Sequence, residues 1–318
     1  MSAEPMPSID SELLQEYRAY LRDGARRSFL IGVGLLGFSA FLVFGSQAPL
    51  LALFTGLLPS LAVISLLSGL HDLRKARLAT EAEAQVFEEL ALFDEKIRGA
   101  RLLHTYILIG GLGLLFLAQH SVGLNDSIAI AGLVKDRVRE GEWWRLLSCA
   151  LLHANTLHIL TNAATLLMLG RIIETQGDPD DLPIVFTVAV FTGSVASCLL
   201  MPSVPSVGAS GGILGLSGYL LVLAVRRRAQ LPAGLGRHLW RGVALTALVG
   251  VLGYHYIDNA ANIGGLLGGA LCGLLLIRPK PDSHPHSTGA ILKAMSAWGC
   301  LGWFGGAAFF CLRRLLNF

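Results

Sequence analysis

The chain has 318 residues, 53% of them hydrophobic and 15% charged, with a net charge of +3 and a mean hydropathy of +0.60. Soluble domains carry about 25% charged residues, so this balance excludes an ordinary soluble globular protein. The net charge is too small to imply a nucleic-acid partner. Residues 1–27 form a polar arm ending in Arg26-Arg27, expected in the cytoplasm. No small-residue cleavage pattern precedes the first apolar run, so a cleavable signal peptide is not expected. Apolar runs over about Ser28–Gly45 and Ala48–Leu70 are joined by only Ser46-Gln47, which predicts a transmembrane hairpin over 28–70.

The segment His71-Asp72-Leu73-Arg74-Lys75-Ala76-Arg77 is basic and belongs on the cytoplasmic side. Within residues 71–100, Val86, Leu90, Phe93 and Ile97 recur at intervals of four, three and four among Glu and Lys. That spacing predicts an amphipathic helix, too polar to span, lying on the membrane or on a partner. Residues 101–278 contain apolar runs near 102–118, 146–170, 183–201, 207–225, 239–254 and 259–277. After the linker Pro279–Thr288, a further membrane segment near 291–312 lies within 279–318. Arg98, Arg101, Arg171, Arg226-Arg227-Arg228, Arg278 and Lys280 all fall on the cytoplasmic side if the six runs alternate. Arg313-Arg314 falls on the other side. Either the last segment stops short of crossing, or the charge bias fails there. The fold class is therefore all-α, a polytopic transmembrane helical bundle: a six-span core with two N-terminal segments and one C-terminal segment added.

The five cysteines (Cys149, Cys198, Cys272, Cys300, Cys311) are scattered through apolar segments and read as small packing residues. His284 and His286 are two apart in a linker and read as solvated loop. Residues 119–145 predict a long outer-face loop ending in Gly141-Glu142-Trp143-Trp144-Arg145. Taken alone, Trp144 and Arg145 are anchors at the headgroup level.

Polar side chains inside a span are costly and face a cavity or a partner. In the second run, His158 and Asn162 are four apart and share a helix face. They are either interhelical hydrogen-bonding groups or paired donors to a developing negative charge. The fourth run begins Gly208-Ala209-Ser210-Gly211-Gly212 and continues with Gly215 and Gly218. A serine flanked by glycines here serves helix packing unless other groups converge on it. Ser217, in a similar setting two turns deeper, reads as packing alone. The sixth run carries Gly264, Gly265, Gly268 and Gly269, small residues at four-residue spacing that predict a tight contact with the other glycine-rich run. That contact would bring Asn262 near Ser210.

Four blocks together resemble the rhomboid intramembrane serine proteases. They are Trp143-Trp144-Arg145, then His153 followed by His158-Ile159-Leu160-Thr161-Asn162, then Gly208-Ala209-Ser210-Gly211, and finally Ile257-Asp258-Asn259-Ala260-Ala261-Asn262-Ile263-Gly264-Gly265-Leu266-Leu267-Gly268-Gly269. The resemblance covers about residues 101–278. It implies Ser210 as nucleophile, with His158, Asn162 and the Ser210 backbone N–H as the oxyanion hole. The 119–145 loop would sit half in the outer leaflet, and the fifth span with its following loop would gate the entry of a substrate helix. The implied reaction is peptide hydrolysis in or near a transmembrane segment, with no metal or other cofactor. The implied partners are transmembrane helices of membrane proteins and the lipid bilayer. A multi-pass protein of a bacterial inner membrane is expected.

At one position the chain departs from the family: Asn262 stands where the family has the histidine base. A serine hydroxyl needs a base to take its proton as it attacks, and an amide accepts none near pH 7. His255 lies seven residues before Asn262, about 10 Å of helical rise, and His153 precedes His158 by five and points elsewhere on a helix. Neither is expected to substitute. The chain is therefore expected to be an impaired protease, or a pseudoprotease that binds transmembrane helices without cutting them. A small transporter is the third class, with neither repeat symmetry nor an intramembrane acid to support it.

Overall fold

The structure, a computed structural model, describes residues 9–45, 51–232, 234–254, 257–277 and 288–316. The hairpin link, the linker after the sixth run, and His255, His284 and His286 lie outside the described residues. The chain divides into two compact units, residues 1–93 with 248–256, and residues 94–247 with 257–318.

In the first unit, helices α1 (Ile9–Gly45) and α2 (Leu51–Leu78) pack along one another. The polar arm from residue 9 onward is the start of α1, not a separate element. Gly32 and Gly69 admit the partner helix: a methyl on Gly32 would meet Leu66 at 2.7 Å, and one on Gly69 would meet Ala25 O at 3.1 Å. Ser65 Oγ donates to Ser28 O at 2.7 Å. Helix α3 (Glu81–Arg98) opens with a capping box: Thr80 and Glu83 exchange backbone-to-side-chain bonds at 3.2 and 3.4 Å. Its contact with α1 is made through Phe87, which is not among the predicted Val86, Leu90, Phe93 and Ile97. Phe87 packs against Tyr17 and Tyr20, beside a cluster of Tyr17, Leu21, Ala76, Ala79 and Ala84.

The second unit holds α4 (Leu103–Val122), α5 (Leu124–Ala131), α6 (Lys135–Arg139), α7 (Arg145–Ser148), α8 (Thr156–Gln176), α9 (Asp181–Leu200), α10 (Ser210–Arg226), α11 (Leu235–Leu252, to residue 247), α12 (Asn259–Leu276) and α13 (Thr288–Leu315). Among the described residues, α4, α8, α9, α12 and the stretch Ile291–Leu315 of α13 are long and apolar enough to cross a membrane, and α10 is a shorter apolar helix. The fold is an all-helical polytopic membrane bundle.

Two expectations shift. The outer loop is not irregular, because α5, α6 and α7 fill it. The second apolar run does not begin its span at residue 146, because α8 starts at Thr156, where Asn155 Oδ1 accepts the His158 N–H at 2.9 Å. Leu146, Cys149, Ala150, Leu151 and Leu152 are apolar because they are buried in the protein ahead of the helix, not because they cross lipid.

The bundle is fastened at one end by a cap from another helix. Helix α4 has no side-chain cap of its own. Glu174 of α8 takes its place, accepting from Thr105 N at 2.8 Å, Thr105 Oγ1 at 2.5 Å and His104 N at 3.2 Å. Helix α13 runs the full length of this unit. Near its start Lys293 pairs with Asp178 at 2.8 Å and Asp181 at 2.5 Å, and near its end Phe310 stacks edge-on against Trp144. The stretch Ile291–Leu315 is long and apolar enough to cross a membrane, and the Arg314 guanidinium lies over the Phe310 ring at 5.2 Å.

Candidate active site

Ser210 is the first residue of α10, and the chain reaches it through Gly208 at φ +123°. Only glycine suits that backbone at low cost. The same position is also closed by space: a Cβ on Gly208 would lie 2.6 Å from His158 Cε1 and 2.9 Å from Nε2. The His158 ring is thus seated against the backbone that leads into Ser210. Gly208 N–H donates to Cys149 O at 2.9 Å, fixing this turn to the buried segment before α8. First-turn N–H groups of a helix have no carbonyl within it to bond. Those of α10 are therefore oriented donors, suited to a developing oxyanion.

Asn162 lies one turn after His158 and is buried. Its Nδ2 is 3.0 Å from His153 Nε2. The rings of His153 and His158 meet edge-on with centroids 5.1 Å apart. The sequence expectation that His153 points elsewhere does not hold, because residue 153 precedes α8 and helical spacing does not apply to it. Burial, then the neighbouring His158, push the His153 pKa down from 6.5 to about 3. His153 is a neutral ring, and its Nε2 accepts from Asn162. Its backbone is held by Gln119 of α4, whose Oε1 accepts His153 N–H at 2.8 Å and whose Nε2 donates to His153 O at 3.2 Å.

The glycine-rich contact between α10 and α12 is real and extremely close. A Cβ on Gly265 would fall onto Gly211 O, one on Gly269 onto Gly215 O, and one on Gly218 onto Leu266 O. Gly211 faces Ala261, with its would-be Cβ 3.2 Å from Ala261 O. Ser210 and Asn262 therefore each adjoin a residue of the same contact. Asn262 is buried, its N–H bonds Asp258 O at 3.1 Å, and its side-chain Oδ1 has no hydrogen-bond partner among the described residues. The amide at the base position does not accept the Ser210 hydroxyl. Ser210, Gly208, Ser194, Ser206 and Asp258 line a cavity of about 30 Å³, room for about two waters. Ser217 bonds Ile213 O at 3.3 Å within its own helix, as a packing residue does.

The rhomboid domain profile matches residues 140–279. The chain is similar to rhomboid proteins over those residues and beyond them. It is 29% identical over 211 residues to Rhomboid protease GluP of Bacillus subtilis (strain 168), covering 64% of this chain and 40% of that protein. It is 34% identical over 151 residues to RHOMBOID-like protein 7 of Arabidopsis thaliana, covering 45% of this chain and 46% of that protein. RHOMBOID-like protein 4 of the same plant is 34% identical over 170 residues, with shares of 48% and 41%. The chain thus spans less than half the length of each of these relatives. It is a multi-pass integral membrane protein in which residues 140–279 are similar to the rhomboid domain, with α1 to α6 ahead of the matched residues and α13 after them.

Around this rhomboid domain, Arg145 is buried and does not reach toward headgroups. It donates to Glu142 at 2.5 Å, Gly132 O at 2.8 Å and Ala129 O at 3.2 Å, so it holds the outer loop to itself. Trp144 is sandwiched between the Arg145 guanidinium, 4.7 Å from its ring, and Phe310 of α13. Sequence reasoning missed Lys135, which is 3% exposed. Its ammonium bonds Val204 O, lies 2.8 Å from Ser206 Oγ, and is 3.9 Å from Asp258 Oδ2. Burial lowers its pKa from the ordinary value, and Asp258 opposes that. A lone lysine between charged loop residues gives no periodic signal.

Proposed function

We propose that this chain is an intramembrane serine endopeptidase of the rhomboid type whose hydrolytic step is impaired as written. Ser210 is the nucleophile. The His158 ring, the Asn162 amide and the Ser210 N–H stabilise the oxyanion, and transmembrane segments of membrane proteins are the substrates. The reading rests above all on Asn262, a carboxamide at the position where a proton acceptor is required, whose buried Oδ1 has no partner among the described residues. A hydroxyl with no base is a weak nucleophile, and the leaving amine also needs a proton returned to it. In a soluble serine protease, loss of the histidine alone costs on the order of 10⁶ in turnover, and oxyanion stabilisation with binding leaves about 10³–10⁴ over water.

A second reading draws on Asn162. One of its two amide N–H donors is already given to His153, which leaves a single amide N–H for an oxyanion. That favours a pseudoprotease that receives transmembrane helices beside α11 and does not cut them. Labelling of Ser210 by a fluorophosphonate tests the assignment. The unaltered chain stays unlabelled, and the Asn262→His chain labels in a way abolished by Ser210→Ala. Labelling of the unaltered chain at the same rate as Asn262→His contradicts the role given to position 262.

A further inference from the structure

The 119–145 loop holds an ion pair, its lysine buried and its aspartate partly buried, that no part of the proposed chemistry uses. Lys135 at the start of α6 meets Asp258, the N-cap of α12, with 3.9 Å between Nζ and Oδ2. Ser197 of α9 and Ser206 of the α9–α10 connection both donate to the same Oδ2, and Asp258 Oδ1 accepts Ala261 N–H at 2.9 Å. Two residues before Lys135, Leu133 and Ser206 exchange backbone bonds at 2.9 and 3.2 Å, the single antiparallel bridge among the described residues. Three segments therefore converge on one charge pair: the outer loop, the approach to α10, and the start of α12.

The register of this junction is specific. Ser206 is four residues before Ser210, and Asp258 is four residues before Asn262. The hydroxyl of the first is bonded to the carboxylate of the second, and the Lys135 ammonium touches both. We propose that Lys135 and Asp258 form a latch through which the outer loop sets the distance between position 210 and position 262, making both positioning residues for the reaction. Neither is a stand-in base. The ammonium is directed at Val204 O, Ser206 Oγ and Asp258, and the carboxylate accepts a backbone N–H and two hydroxyls. A buried ion pair of this kind contributes little net stability but strongly penalises the loss of one partner. It therefore suits a junction that must adopt a single geometry.

The latch rests on Ser210 and position 262 being the reacting pair, and its test has two arms. In the first, Lys135→Met, Asp258→Asn and the double variant are made in the Asn262→His chain and assayed on a model transmembrane substrate. Asparagine keeps the helix cap while removing the charge. Misplacement by about 1 Å costs on the order of 10²-fold, so each single change lowers kcat on that order with KM within about twofold. The double variant falls no further than the worse single one, because the two act as a unit. A rise in KM with kcat intact, or losses that multiply, overturns the latch. The second arm is amide hydrogen exchange of the same substitutions in the unaltered chain in nanodiscs. Protection falls together at residues 133–139, 204–208 and 258–262, with α4 and α8 unchanged. Loss confined to the substituted segment overturns the proposal. If the Asn262→His chain shows no turnover, the reading of position 262 has failed, and the exchange arm alone decides the latch.

Discussion

Gly208 carries two constraints at once, a positive φ and a side-chain slot filled by the His158 ring. Gly208→Ala must therefore strain the backbone and displace His158, at about 1–3 kcal/mol for the backbone alone. Thermal unfolding in detergent micelles should show the lower midpoint, and the Asn262→His chain bearing this change should lose fluorophosphonate labelling of Ser210. His153 gives a pH signature. Its folded pKa of about 3 lies below the ordinary 6.5. Between those values the unfolded chain binds a proton that the folded chain refuses, so stability falls as pH drops through that window and is flat above it. Unfolding midpoints at pH 7.5 and 4.5 measure the fall, and His153→Gln should reduce it.

At the scale of elements, glycine position decides tolerance. Gly265 has α10 backbone where its Cβ would be, whereas Gly242 on α11 has nothing within 4 Å. Gly265→Ala should destabilise by the ~1–3 kcal/mol of overpacking, while Gly242→Ala should be neutral or stabilising by up to ~1 kcal/mol. Parallel thermal unfolding of the two variants checks the contrast. Lys293 anchors α13 to Asp181, which is 1% exposed and also accepts from Tyr219 at 2.5 Å. Lys293→Met leaves that carboxylate without its cation, a loss of about 3–5 kcal/mol in comparable buried pairs. Unfolding of α13 ahead of the rest, seen by hydrogen exchange, is the expected result.

Across the whole molecule, the helices and the α10–α12 contact were legible because apolar run length and glycine spacing are local signals. Ser210, His158 and Asn162 were legible as residues, since polar groups stand out in apolar runs. Three features were not. The span of α8 was placed ten residues early because Leu146–Leu152 is as apolar as a span while being buried in protein. The His153–Asn162 bond joins a pre-helical turn to a helix, a geometry that spacing cannot encode. Lys135 acquires its meaning only from Asp258, 123 positions away in the chain.

On the proposed function, this helical bundle holds a nucleophile, Ser210, without its base. The direct measurement is the initial rate of cleavage of one model transmembrane substrate by the unaltered chain, by Asn262→His, and by each with Ser210→Ala added. Turnover near background is expected for the unaltered chain, with a gain of several orders of magnitude for Asn262→His, abolished by Ser210→Ala. Rapid, Ser210-dependent cleavage by the unaltered chain, not increased by the histidine, would contradict it.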